Sequence, residues 1–231
     1  MRSPTSAVAR MPRPRVTLKL ATSLDGRIAT ALGESRWITG EAARAEVQKL
    51  RASHDAVMVG AETARRDDPS LLARTDPPPA KQPARVVVTG DLNIPTAGRL
   101  FEGPRLSPLI VFGSAEAPEE RRAALEAAGA RVERAKSTAD GLSLAEVLNV
   151  LKTMDFESVL VEGGGRLAAS LVVAGAVDRI EWFRAPIVLG AGGAPAVAAL
   201  FHERLADAPR FRRVALRELG PDIWESYERA S

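Results

Sequence analysis

Apolar and polar positions along the 231-residue chain follow two rhythms. Short continuous apolar runs occur at Ala56–Gly60, Arg85–Gly90, Leu109–Gly113 and Ser158–Val161. Such runs predict strands covered on both faces, as in a parallel sheet. Arg15–Thr22, Asp178–Arg184, Phe211–Arg217 and Ile223–Glu228 alternate in character and predict further strands, and Arg131–Glu133 a short one. Helical spacing separates them. Glu41–Ala52 turns Ala43, Val47 and Leu50 to one side, with Thr39 as its expected N-cap. Ser143–Met154 does the same with Leu144, Val147, Leu148 and Leu151, capped by Ser143. Ala61–Arg66, Glu119–Ala128 and Arg166–Val173 complete the helical set. Strand and helix in alternation predict an α/β fold with one mostly parallel sheet and helices on both faces. The last two strands, joined by Leu219-Gly-Pro-Asp222, should form an antiparallel edge hairpin. Residues 14–231 read as one domain, and residues 1–13 as a disordered, weakly basic arm.

The stretch Ser158-Val-Leu-Val-Glu-Gly-Gly-Gly-Arg-Leu-Ala-Ala-Ser170 organises the rest. A strand runs into three glycines and then a helix start. Free N–H groups of a first helical turn point outward, and glycines let a phosphate approach the backbone. Glu162 sits at the carboxyl end of that strand, where open α/β sheets hold their ligands. Gly163-x-Gly165-x-x-Ala168 also fits a loose dinucleotide fingerprint, but the nearest acid at suitable spacing, Glu181, falls inside the next strand.

Composition narrows the function. The chain carries net charge +3, spread rather than clustered, and has few aromatic residues, so a nucleic-acid groove is not expected. With no cysteine there is no disulfide framework, thiolate nucleophile or Cys-held zinc. His54 and His202 stand at unrelated positions, so no metal site is expected. No nucleophile elbow and no P-loop occur. No apolar run approaches the roughly 20 residues of a membrane span, and residues 1–14 lack a signal peptide's apolar middle, so a cytoplasmic protein is expected.

Five segments in order carry a resemblance: Leu18–Ala29, Gly33–Thr39, Asp67–Leu71 with Arg74, Val161–Gly164 and Ala185–Gly190. Together they resemble the reductase domain of the bifunctional riboflavin-biosynthesis deaminase/reductase, of dihydrofolate-reductase-like fold, over about residues 14–227. The resemblance implies reduction of a phosphorylated ribosylaminopyrimidine by NADPH, the ribosyl group becoming ribityl by hydride transfer to C1′. It implies that Ala21, Trp37, Thr63, Asp67 and Gly90 line the cofactor site, with Gly164, Gly165, Arg166, Leu167, Ala168, Ala169 and Ser170 around the pyrophosphate. Ser35, Arg51, Leu71, Arg74 and Glu162 would bind substrate, Arg51 and Arg74 as forks on its 5′-phosphate. Lys19 and Asp67 are the candidates for proton transfer and orientation. The family often has Thr where this chain has Leu72, and a hydroxyl residue at Gly90.

A zinc deaminase needs His and Cys ligands, which a cysteine-free chain cannot provide, so deamination falls to another protein. That leaves the undeaminated diaminopyrimidinone phosphate as an alternative substrate. An NADPH reductase of another substrate, or a nucleotide sensor without turnover, are the competing readings. A homodimer is expected from the resemblance.

Overall fold

The computed structural model describes residues 12–102, 107–138 and 141–230. Most of the expected arm, residues 1–11, lies outside them. The first half runs β1 (Arg15–Thr22), β2 (Arg27–Ala29), α1 (Glu41–Ala52), β3 (Ala56–Gly60), α2 (Ala61–Asp67), β4 (Ala84–Val88), β5 (Leu109–Ser114), α3 (Glu119–Ala127) and β6 (Arg131–Ala135). The second half runs β7 (Ser137–Thr138), β8 (Gly141–Leu142), α4 (Leu144–Thr153), β9 (Ser158–Glu162), α5 (Gly165–Val173), β10 (Arg179–Arg184), β11 (Ala194–Pro195), β12 (Phe211–Leu219) and β13 (Asp222–Arg229).

One nine-stranded sheet has the order β12-β13-β10-β1-β9-β3-β4-β5-β6. From β10 to β6 every pairing is parallel. The closing hairpin adds β13 and β12 antiparallel at one edge. This is the expected three-layer architecture.

The apolar runs explain the layers. Val16, Leu18, Leu20, Met58, Val86, Val159 and Val161 face α4 and α5, and the four inward residues of α4 are all buried among them. Val57, Val59, Val87, Val111 and Leu160 face the opposite side, with Ala64 of α2 and Leu125 of α3. A buried leucine side chain contributes about 1.5–3 kcal/mol by leaving water, so the α4 stripe is a large share of that layer. On β1 the residues between the apolar ones, Thr17, Lys19 and Ala21, necessarily point to the α1 side.

Two expectations change. The N-cap of α1 is Gly40, not Thr39, and no side chain caps the helix. Gly40 N–H donates instead to Asp222 Oδ2 at 2.6 Å, so the final hairpin tethers the helix start, while Thr39 is buried and its carbonyl accepts from Arg44. Arg13, placed in the arm by sequence, pairs through its guanidinium with Asp178 at 2.6 Å. Small pairings of β2 with β11 and of β7 with β8 were not foreseen, their two or three residues being too few for a pattern.

Candidate active site

The carboxyl ends of β1, β9, β3 and β4 open on a cleft of about 760 Å³. Parallel strands leave a crevice there, and open α/β sheets bind ligands in it.

Its floor is a charged cluster. Lys19 and Glu162 are register partners on adjacent parallel strands, and both point to the α1 side. Arg51, in the last turn of α1, reaches down to Glu162 with Nε to Oε1 at 2.6 Å and Nη2 to Oε2 at 2.7 Å. Its Nη1 donates to Leu72 O at 3.1 Å, which ties the 68–74 loop to the helix. Both side chains of the pair are 12% exposed. Burial alone would raise the Glu162 carboxyl, but Arg51 and Lys19 outweigh it and hold it below its ordinary value. For Arg51 burial works against the charge, and Glu162 more than offsets it. Burial lowers Lys19 below 10.5, Glu162 opposing that shift and Arg51 adding to it. The Lys19 ammonium also stands 6.0 Å from the Phe183 ring centroid, and Phe183 stacks on Trp224. The cluster therefore offers a half-buried lysine that surrenders a proton more readily than a surface one.

One wall is the start of α5. Gly164 is its N-cap without a side-chain partner, and the first turn carries no acid. The opening N–H groups of a helix have no internal acceptor. A Cβ on Gly164 would meet nothing within 4 Å, so that backbone lies open to a ligand. A Cβ on Gly165 would lie 2.4 Å from Pro195 O, so this second glycine serves packing of α5 against the β11 segment.

The structure brings most of the sequence candidates to this cleft. Lys19, Ala21, Ser35, Trp37, Arg51, Thr63, Asp67, Leu71, Gly90 and Glu162 line it. So do Gly164, Gly165, Arg166, Leu167 and Ser170. Three are not on its wall. Ala168 and Ala169 are buried, because helical geometry turns the fourth and fifth positions of α5 into the core. Arg74, at the end of the 68–74 loop, is exposed and does not line the cleft. Arg51 is on the wall, but its fork is already closed on Glu162, so it does not stand as a second free phosphate fork.

Sequence reasoning overlooked Arg44 and Arg65. Arg44 lies 4.2 Å from the Trp37 ring centroid and supports that exposed indole over the cleft. Its place one turn into α1, seven residues before Arg51, was the available signal. His54 has a packing role: its Nδ1–H donates to Leu50 O at 2.7 Å, and Nε2 accepts from the Thr17 hydroxyl at 2.9 Å.

Fold and cleft together define an α/β protein with an open cleft at its strand ends, the place where such sheets hold their ligands. Residues 14–224 match the family model described as the RibD C-terminal domain, and the chain belongs to that family. It is 38% identical over 212 residues to the riboflavin biosynthesis protein RibD of Bacillus amyloliquefaciens, covering 91% of this chain and 56% of that protein. The solved structure of Acinetobacter baumannii RibD superposes with a TM-score of 0.81 at 31% identity, over 94% of this chain and 58% of that one. The yeast riboflavin biosynthesis reductase Rib7, at 18% identity and TM-score 0.73 over 94% of this chain and 90% of that one, shares the fold. The chain spans about half the length of the curated relatives it matches.

Proposed function

We propose that this protein is an NADPH-dependent reductase of riboflavin biosynthesis. Its substrate is 5-amino-6-(5-phosphoribosylamino)uracil, whose ribosyl group it converts to ribityl. The observation that carries the reading is Lys19 beside the Arg51–Glu162 pair at the floor of a cleft whose wall is the bare start of α5. The names of the relatives support the pathway.

The residues present fit the cofactor. Gly164 leaves backbone N–H groups open to a pyrophosphate, and Ala21, Trp37 and Thr63 leave an apolar-to-polar slot near Lys19 for a nicotinamide ring. When bound, the dihydronicotinamide supplies the hydride. The substrate's sugar must first open: the exocyclic nitrogen pushes its lone pair toward C1′, the C1′–O4′ bond breaks, and O4′ takes a proton. Lys19, its pKa lowered by burial, gives that proton. The resulting C1′ iminium accepts the hydride, so one proton and one hydride are consumed per turnover. Glu162 keeps Lys19 charged until the proton is needed, and Arg51 holds Glu162 in place. Asp67, exposed at the end of α2, is left to orient the ligand at the rim.

The test is the loss of reduced-nicotinamide absorbance with each of the two pyrimidine phosphates. Oxidation with the uracil compound is expected. Turnover of the diaminopyrimidinone alone would reassign the substrate, and no oxidation with either would end the reading.

A further inference from the structure

The far end of the cleft lies where β4 stops. Val88, Thr89 and Gly90 line it there, and Arg65 of α2 lines the same cleft. β9, β3 and β4 are successive neighbours in the sheet. At about 4.8 Å per strand, this end lies roughly 10 Å across β3 from the start of α5. A dinucleotide with its pyrophosphate at α5 and its nicotinamide at Lys19 sends its adenosine toward Thr89 and Gly90.

Two groups could read the ribose at that place. An acid after the strand usually accepts from the 2′-hydroxyl of NADH, whereas an arginine accommodates the 2′-phosphate of NADPH. Asp91 is the acid that follows β4, and its oxygens already hold partners. Oδ1 accepts from Thr89 Oγ1 at 3.1 Å and from Asn93 N at 3.0 Å, and Oδ2 pairs with Arg121 at 3.1 Å. Arg65 is in the opposite condition. Its Nη1 donates to Asn93 O at 2.8 Å, which fixes the guanidinium beside the loop after β4. Among the described residues it has no carboxylate partner, so Nε and Nη2 keep their donors. The other cleft arginines are placed elsewhere: Arg44 on Trp37, Arg51 on Glu162, Arg66 against Gly33, and Arg166 on α5.

We propose that Arg65 binds the 2′-phosphate of NADPH and sets the preference for NADPH over NADH. The proposal rests on the reductase reading above. It makes cofactor choice a property of α2, not of the glycine loop.

The test measures binding. NADPH and NADH are titrated calorimetrically into the wild-type protein and into Arg65→Ala, an exposed substitution that leaves the core intact. A charge-assisted contact predicts that the variant binds NADPH about 10–100-fold more weakly. NADH affinity should stay within about twofold, since it presents no 2′-phosphate to the side chain. Arg65→Lys should recover part of the loss, because the charge remains without the fork. If the wild type prefers NADPH and Arg65→Ala keeps that preference, Arg65 is not the reader, and the reductase reading stands. Equal wild-type affinity for both cofactors also overturns the proposal. If neither cofactor binds, the reductase reading falls with it.

Discussion

On the floor of the cleft, Arg51 and Glu162 meet across 111 residues of sequence in a two-pronged pair, and Lys19 stands on the next strand. On the rim, Trp37 is 71% exposed and Asp67 is exposed, and Arg74, off the cleft wall, is exposed as well. The floor residues issue from β1, β9 and the last turn of α1, all packed on the core. Trp37 (φ 70°) issues from a loop and Asp67 from the end of α2, and the loop that follows carries the buried Leu71 (φ 57°), also in the left-handed region. Non-glycine residues there cost about 1–3 kcal/mol and persist only where their surroundings dictate it. The difference separates two tasks. The floor keeps charge organised without a ligand, as proton transfer requires. The rim leaves its side chains in solvent.

The largest effect should follow from disturbing the floor. Glu162→Gln leaves Arg51 charged and half its partner gone. Breaking such a buried pair costs about 3–5 kcal/mol when one partner is removed outright, and glutamine keeps one acceptor. A loss of about 2–3 kcal/mol is expected, read as a Tm lower by roughly 5–10 °C. Activity should fall about 100-fold or more in kcat/KM. The pH profile gives a sharper reading. In the proposed mechanism Lys19 acts as an acid, so the rate should fall as pH rises through its pKa. Glu162 raises that pKa and Arg51 lowers it, so the substitution must move the basic limb to lower pH. A limb that stays in place would remove Lys19 from the proton step. Stability has its own sign: the depressed Glu162 contributes fully above about 4.5 and is lost as pH falls through its lowered value.

The layers and most element boundaries were legible because burial imposes a period. β1, β3 and α1 fall where alternation, apolar runs and helical spacing put them. The strand–glycine–helix stretch was legible as a local structure for the same reason. The helix it opens also shows the limit. Gly164 to Ser170 reads as one cradle, yet the helix turns Ala168 and Ala169 inward. The Arg51–Glu162 pair was not legible, since only the register of β9 beside β3 and β1 brings them together. Without it, Arg51 read as free for phosphate. Gly40 as the α1 cap was missed for a similar reason: its partner, Asp222, is 182 residues away.

Two adjacent glycines divide wall from core, and substituting each separates the roles. Gly164 has φ −66° and ψ 162°, a conformation open to any residue, and space around its missing Cβ. Gly164→Val should fold with an unchanged Tm and bind NADPH about tenfold or more weakly, since the side chain fills the approach to the helix N–H groups. Gly165→Ala should do the reverse. Its Cβ would be forced against Pro195 O, at a cost of about 1–3 kcal/mol in stability. Unchanged calorimetric affinity in Gly164→Val would show that the pyrophosphate lies elsewhere.

The smallest effect belongs to Arg74, outside the cleft wall. With Arg51 closed on Glu162, Arg74 is the arginine of the proposed phosphate clamp that remains without a carboxylate partner among the described residues. Its backbone N–H is held by Gln48 Oε1 at 2.9 Å, so the chain is anchored while the side chain stays in water. A guanidinium that must first give up solvent gains less than one already in place, and surface charge pairs are worth about 0–1 kcal/mol before any bidentate geometry adds to them. Arg74→Ala should therefore lower kcat/KM by about tenfold or less on the phosphorylated substrate, mostly through KM. The dephosphorylated substrate has nothing for the fork to hold, so wild type and variant should treat it alike. Arg74→Lys should fall between them, because an ammonium keeps the charge and loses the geometry. Raising the salt should shrink the difference, as expected for a solvent-exposed contact. An equal loss on both substrates would mean that Arg74 only orders the 68–74 loop over Arg51, and the phosphate would then have to be held elsewhere on the rim.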